Sequence, residues 1–254
     1  MLLLIDAGNT SIKWALAEDG AAPGVWAASG ALAHDALARG IWAGHAISAA
    51  LISNVAGAAL RARLELALPD SLQQTSWFAS LPELAGLKNG YRNPAQLGCD
   101  RFAAAIGARA LAPGRALIVA TCGTATTIDA ITPDGCFIGG LILPGLALMA
   151  SSLACNTSQL PQVGAAAGSA TIQTGFADNT DDAIINGCLT AQAGAIERAC
   201  AALEAEWGAV HCMLSGGAAS FIAPALSLSL QHQLIANIVL IGLQVAARNR
   251  GLAC

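Results

Sequence analysis

Charge is what this chain has least of. Only 11% of its 254 residues are Asp, Glu, Lys or Arg, against 55% hydrophobic, and the mean hydropathy is +0.59. No basic run occurs, and a formal net charge of -4 with a pI near 5.4 excludes the clustered Lys and Arg that a nucleic-acid surface needs. Apolar runs of membrane length are missing too. The best candidate, Phe137 to Leu153, stops short of the roughly 20 residues of a spanning helix. It is broken by Gly139, Gly140, Pro144 and Gly145, so it reads as a buried strand that turns into a helix at Pro144. Much of the apolar content is alanine, which suits small-residue packing and not membrane insertion. There is no basic n-region ahead of the apolar start, and Asp6 ends that start too early for a signal peptide. The expected location is the cytoplasm. The eight cysteines, at 99, 122, 136, 155, 188, 200, 212 and 254, form no CxxC pair and no zinc-type Cys/His spacing. They read as free thiols in a reducing compartment, mostly packed as small hydrophobes.

What is present is a repeated turn. Residues 6 to 13 read Asp-Ala-Gly-Asn-Thr-Ser-Ile-Lys after an apolar start, and residues 123 to 129 read Gly-Thr-Ala-Thr-Thr-Ile-Asp after another apolar strand. In such a turn glycine lets the backbone approach an anion, backbone N–H groups point at it, and a carboxylate can hold a metal ion that neutralises phosphate charge. The repetition, about half the chain apart, predicts two similar halves with a nucleotide between them. Pro113-Gly114 reads as the boundary, giving domains 1–114 and 115–254.

Both halves alternate in α/β fashion. The first is read as strands Leu2 to Ile5, Ser11 to Leu16 and Val25 to Ser29, then a helix over Ala31 to Arg39, a strand Ala46 to Ser53, a helix Gly57 to Leu66 and a strand Thr75 to Ala79. Asp19-Gly20 and Asp134-Gly135 are read as hairpin turns. Ser53-Asn54-Val55 falls at a strand's carboxyl end, where polar residues line ligand crevices. Leu87 to Leu97 is read as loop, followed by a helix Cys99 to Leu111. The second half is read as strands Ala116 to Thr121, Thr126 to Ile131 and Cys136 to Leu143, a helix Asp181 to Trp207, a strand Val210 to Leu214 and a helix Ile235 to Asn249.

Four motifs then align in order. Asp6-x-Gly8-Asn9-Thr10-x-x-Lys13, Tyr91-x-Asn93-Pro94, Gly98-x-Asp100-Arg101 and Gly123-Thr124-Ala125-x-Thr127-x-Asp129 resemble the motifs of type III pantothenate kinases. The resemblance implies a duplicated RNase H-like (actin-like ATPase) fold. It implies ATP-dependent phosphorylation of pantothenate to 4'-phosphopantothenate, the first step of coenzyme A biosynthesis.

On that resemblance the segment Asp6, Ala7, Gly8, Asn9, Thr10, Ser11, Ile12 and Lys13 is the first phosphate loop, with Asp6 orienting a hydrated magnesium ion. Gly123 and Thr124 form the second. Asp100 is the general base. Tyr91, Gly98, Cys99, Asp100 and Arg101 form the pantothenate site, Arg101 offering a planar fork that fits a carboxylate bidentately. Asp129 belongs to a metal or water network or serves only as a strand-end residue. Thr180, after Asn179, reaches the pantothenate site of a neighbouring subunit, which implies a homodimer with its active site at the interface; the pair also suits a helix cap.

Two positions depart from the family pattern. Thr121 stands where the family has an aspartate that binds potassium or ammonium, which puts the monovalent cation site in question. Gly216-Gly217-Ala218 replaces Gly-Gly-Asp on the adenosine side. The departures leave open a non-catalytic accessory protein that keeps the fold, and because superfamily membership fixes the phosphate chemistry but not the acceptor, a kinase of the same superfamily with another small hydroxylated substrate is also open.

Overall fold

The computed structural model describes residues 1–163 and 176–251. Cys254 lies outside the described residues. The chain forms two units that are discontinuous in sequence. One comprises Met1–Gly114, Asp134–Ile138 and the chain from Asn237 onward; the other comprises Arg115–Pro133 and Gly139–Ala236. Short segments from the second half of the sequence, 134–138 and the terminal helix, therefore belong to the first unit.

The first unit is built on a five-stranded sheet. Its apolar first segment, Leu-Leu-Leu-Ile, forms β1 (Leu2–Ala7), antiparallel to β2 (Ser11–Ala17), which is antiparallel to β3 (Ala28–Ala33). On its other side β1 runs parallel to β4 (Ala49–Asn54), which is parallel to β5 (Gln74–Trp77), so the order is β3-β2-β1-β4-β5. Helix α1 (Ala58–Ala67) connects β4 to β5, and Leu60 and Leu64 from it join Leu3, Ile5, Ile52 and Trp42 in the core. A short hairpin of β6 (Glu83–Leu84) and β7 (Leu87–Asn89) precedes α2 (Cys99–Leu111).

Helix α2 starts at Gly98, with Asp100 in its first turn and Arg109 in its last, charges that complement the helix dipole at each end. It packs on α6 (Ile238–Asn249), and glycines let the two backbones close in. A Cβ on Gly107 would lie 2.6 Å from the Ile238 carbonyl oxygen, and one on Gly242 would clash with the Ala103 carbonyl.

The second unit repeats this plan. Strand β8 (Ala116–Cys122) is antiparallel to β9 (Ala125–Ile131) and parallel to β11 (Val210–Ser215), which is parallel to β12 (His232–Leu234). With β10 (Cys136–Pro144) beside β9, and the β7–β6 hairpin continuing from the start of β10, the seven-stranded order is β12-β11-β8-β9-β10-β7-β6. Helix α3 (Leu146–Asn156), the long α4 (Thr180–Trp207) and the one-turn α5 (Ala219–Ile222) cover it. Asn179 caps α4 by accepting the Asp182 N–H at 3.0 Å, with Asp181 and Asp182 in the first turn. The two sheets place their strands equivalently, which makes the fold a duplicated α/β one.

Three expectations need correction. Residues 31 to 39 are not a helix. Alanine favours helix, but Ala28–Ala33 pairs with β2 from Leu16 to Ser11, and the sheet contacts override a weak local preference. Beyond it, Gly40 and Gly44 take positive φ. Leu87 to Leu97 is not all loop, since Leu87–Asn89 runs parallel to the start of β10, Asn89 opposite Phe137. Finally β10 is not buried: Ile138, Leu141 and Ile142 are 46, 47 and 64% exposed.

Candidate active site

The hairpin turn between β1 and β2 holds Gly8, Asn9 and Thr10. The Gly8 N–H donates to the Ser11 carbonyl at 3.1 Å, and the Gly8 carbonyl accepts a hydrogen bond from His34 Nε2 at 2.8 Å. Because a carbonyl only accepts, Nε2 carries the proton. His34 is itself held by Arg63, whose guanidinium donates to its carbonyl at 2.5 Å. Asn9 and Thr10 are exposed, whereas Ala7 and Ile12 are core residues with only backbone to offer a ligand.

Asp6 stands at the carboxyl end of β1, with Lys13 opposite on β2 and buried Ser53 opposite on β4. The Asp6 carboxyl is pushed up to about 7, by burial first and by the negative charge of Asp100 second, with Lys13 working against both. Two carboxylates therefore face one region from the ends of β1 and α2.

Asp100 is held in the first turn of α2, where its Oδ1 accepts the Arg101 N–H at 2.8 Å. Burial raises its carboxyl, and the Arg101 amide and guanidinium oppose that rise. Gly98 is required here for space, since a Cβ would lie 2.7 Å from Asp100 Oδ1. The start of the helix is tied down on both sides. Ser80 Oγ donates to the Leu97 carbonyl at 2.7 Å. Cys99 Sγ sits 3.3 Å from Ser53 Oγ and 3.8 Å from the Asn54 carbonyl. Burial pushes the Cys99 thiol up, so it stays a neutral donor.

Arg101 is buried at 7% exposure, and its guanidinium donates to the Tyr91 hydroxyl at 2.9 Å. Its central carbon lies 5.7 Å from the ring centroids of both Tyr91 and Phe137. Asn89 orders the Tyr91 loop by accepting the Tyr91 N–H at 3.1 Å and donating to the Pro94 carbonyl at 3.1 Å. Asp6, Lys13, Tyr91, Gly98, Cys99, Asp100 and Arg101 thus all lie within the first unit.

Gly123, Thr124, Thr121, Asp129 and Thr180 lie in the second. The Gly123 N–H donates to the Ala125 carbonyl at 3.0 Å, and the Thr124 carbonyl accepts the Gly145 N–H at 2.9 Å. A Cβ on Gly145 would lie 2.6 Å from that same oxygen. Gly216, at φ +94°, packs against the Cys122 carbonyl, which also accepts the Ala218 N–H at 3.0 Å. Two further glycine turns, at Gly145 and Gly216, therefore pack against the segment Cys122 to Thr124. Thr121 faces Thr127 on β9 and Ser215 on β11, and the Thr121 and Thr127 hydroxyls are buried with no hydrogen-bond partner. Asp129 is fully buried on β9, and Thr180 is exposed at the start of α4.

Sequence reasoning missed His34, Asn89 and Phe137. His34 and Phe137 act through contacts distant in the chain, whereas Asn89 acts through local bonds to Tyr91 and Pro94 inside a segment read as loop. Asp6 and Asp100 do not belong to a larger ligand cluster: among the described residues no group of three His, Cys, Asp or Glu side chains converges. A metal held by one or two carboxylates, with water and phosphate in its remaining positions, is the habit of magnesium.

The family model for type III pantothenate kinase matches residues 2–202. A type III pantothenate kinase from Herminiimonas arsenicoxydans is 55% identical over 256 residues, covering 97% of each chain. Among solved structures, a conserved putative Baf family transcriptional activator from Campylobacter jejuni aligns with TM-score 0.63 at 19% identity, covering 98% of this chain and 99% of that one. A putative 2-dehydro-3-deoxygalactonokinase from Sinorhizobium meliloti aligns with TM-score 0.55 at 17% identity, covering 98% of each. The last two speak for the fold alone.

Proposed function

The chain belongs to the type III pantothenate kinase family, which phosphorylates pantothenate with ATP in coenzyme A biosynthesis, and we propose that it does so through the first-unit cluster around Asp6 and Asp100. The observation that carries this reading is the convergence of two carboxylates beside a buried arginine and tyrosine.

Asp100 accepts the proton of the acceptor hydroxyl as its oxygen forms a bond to the γ-phosphorus and the bond to the ADP oxygen breaks. Burial brings its basicity closer to working pH, which is what a general base needs. Asn9, Thr10 and the loop N–H groups hold phosphate oxygens, and Lys13 adds a point charge. The Gly123-Thr124 turn carries the same glycine-and-hydroxyl chemistry. Asp6 fits a hydrated magnesium ion, because two facing carboxylates repel and a divalent cation relieves that repulsion; bound there, magnesium would neutralise phosphate charge. Arg101 and Tyr91 take the pantothenate carboxylate.

The row Thr127, Thr121 and Ser215 is neutral and lacks the carboxylate of a carboxylate-dependent potassium or ammonium site. The exposed Ile138, Leu141 and Ile142 of β10 and Leu148 and Leu153 of α3 support a homodimer, with Thr180 serving the partner's pantothenate site. Seven described cysteines are free thiols, which supports a cytoplasmic setting, and no helix among the described residues is long and apolar enough to cross a membrane.

The test is direct: purified protein with ATP, magnesium and pantothenate should yield 4'-phosphopantothenate and ADP in equal amounts. Phosphorylation of another small hydroxylated acceptor in preference, or no product at all, would reject the assignment.

A further inference from the structure

We infer that Phe137 is the positioning residue of the acceptor site, setting the Arg101–Tyr91 pair at the angle at which the arginine receives a carboxylate. This deepens the pantothenate reading above and rests on it. Phe137 comes from the 134–138 segment that joins the first unit from the far side of the sequence. Its side chain is fully buried. Its ring meets Tyr91 edge-on, with centroids 5.6 Å apart and planes at 64°, and it lies below the Arg101 guanidinium at 5.7 Å. Tyr91 and Arg101 in turn touch each other through the 2.9 Å hydrogen bond. Phe137 is therefore in contact with both members of the pair.

Its main chain is fixed as firmly as its ring. Phe137 stands opposite Asn89 on β7, and its carbonyl accepts the Gly90 N–H at 2.9 Å. A Cβ on Gly90 would lie 2.5 Å from that carbonyl, so the loop that carries Tyr91 approaches this backbone as closely as glycine permits. A buried guanidinium has few ways to be held without consuming the N–H groups a ligand needs. Aromatic faces are one: they attract the cation through the ring quadrupole and take up no N–H themselves, and the planar guanidinium is the shape that receives a carboxylate bidentately. The edge-to-face contact does the same for Tyr91, bracing the ring while its hydroxyl stays at the arginine.

Steady-state kinetics of Phe137→Leu, Phe137→Tyr and the native enzyme test the idea, with pantothenate and with its analogue in which the carboxylate is replaced by an alcohol. Phe137→Leu should raise the pantothenate KM roughly tenfold, the scale of a lost ring contact to a buried cation, while leaving the KM for ATP and the KM for the alcohol analogue near their native values. Phe137→Tyr, which keeps the ring, should restore the pantothenate KM. In a double-mutant cycle with Arg101→Lys the effects of the two positions should not add. If Phe137→Leu does not fold, Phe137→Met, an unbranched chain for the same space, carries the same expectation. An unchanged pantothenate KM overturns the inference. So does a parallel rise for ATP and for the alcohol analogue together with a fall in Tm, since that is what general loss of packing produces. If the native enzyme does not turn over pantothenate, the assignment of the acceptor fails first and this inference falls with it, an outcome separate from a native enzyme that works and a variant that works equally well.

Discussion

The strands β1 and β8 hold the same place in their two sheets, each between an antiparallel neighbour that follows a glycine turn and a parallel neighbour from further along the chain. Two residues before the turn glycine, β1 carries Asp6 and β8 carries Thr121. Across the sheet Asp6 has Lys13 and Ser53 as neighbours, and Thr121 has Thr127 and Ser215. One row is ionic and the other consists only of hydroxyls. The comparison teaches that duplication of the backbone does not duplicate chemistry: the turn led by a carboxylate offers a negative charge that a cation could meet, and the turn led by a hydroxyl offers only neutral contacts.

The largest effect should come from the charge that faces Asp6. Asp100→Asn removes the proposed proton acceptor while keeping shape, and kcat should fall by about 10² to 10⁴, with the circular dichroism spectrum and the gel-filtration volume unchanged. Normal turnover in that variant would move the base elsewhere.

Asp6→Asn sharpens the contrast in a second way. Its activity should fall by about 10² to 10³, as when one fixed electrostatic contact to a transferring group is lost. Its stability should change in the opposite direction. Burial raises the folded-state carboxyl from 3.8 to about 7, so between those values the unfolded chain has lost a proton that the native protein still binds. Native stability therefore falls as pH rises through that window, and in the metal-free state the asparagine variant should gain Tm relative to native protein at pH 8 but not at pH 4. By the same reasoning native magnesium affinity should rise with pH up to about 7 and level off above it. A flat magnesium titration between pH 5 and 7 would contradict the raised carboxyl.

Gly98→Ala tests geometry without touching charge. The added carbon would press on Asp100 Oδ1, and a shifted carboxylate should cost about tenfold in kcat, with a smaller change in either KM. The smallest effect belongs to the hydroxyl row. Replacing potassium and ammonium by a bulky organic cation should change the rate by less than about twofold, because a neutral row offers no charge to anchor such an ion. Strict dependence on potassium would show that the Thr121 row, or another site, binds it.

Some of this was legible in residue order. The apolar start of β1, the glycine turns and the helix from Cys99 to Leu111 follow from local spacing, because a strand end, a positive or crowded backbone position and a 3.6-residue period are properties of neighbours in the chain. Asp6 could be named from the glycine turn it leads, whereas Tyr91, Asp100 and Arg101 are named by the resemblance of their motifs to the family's. Residues 31 to 39 could not be read correctly, because an alanine-rich segment takes its conformation from whichever partner pairs with it, and that partner is β2. The apolar β10 looked buried since composition does not say which face meets solvent.

By itself, then, the sequence determined the two turns, the strand and helix order around them and the residue types available for phosphate and carboxylate chemistry. Only the tertiary structure decided that Asp6 and Asp100 face each other, that His34 holds the Gly8 carbonyl and that Phe137 lies under Arg101. Those contacts join residues dozens of positions apart, and they exist only once the chain has met the loop-closure entropy of bringing them together through the packing of the surrounding core.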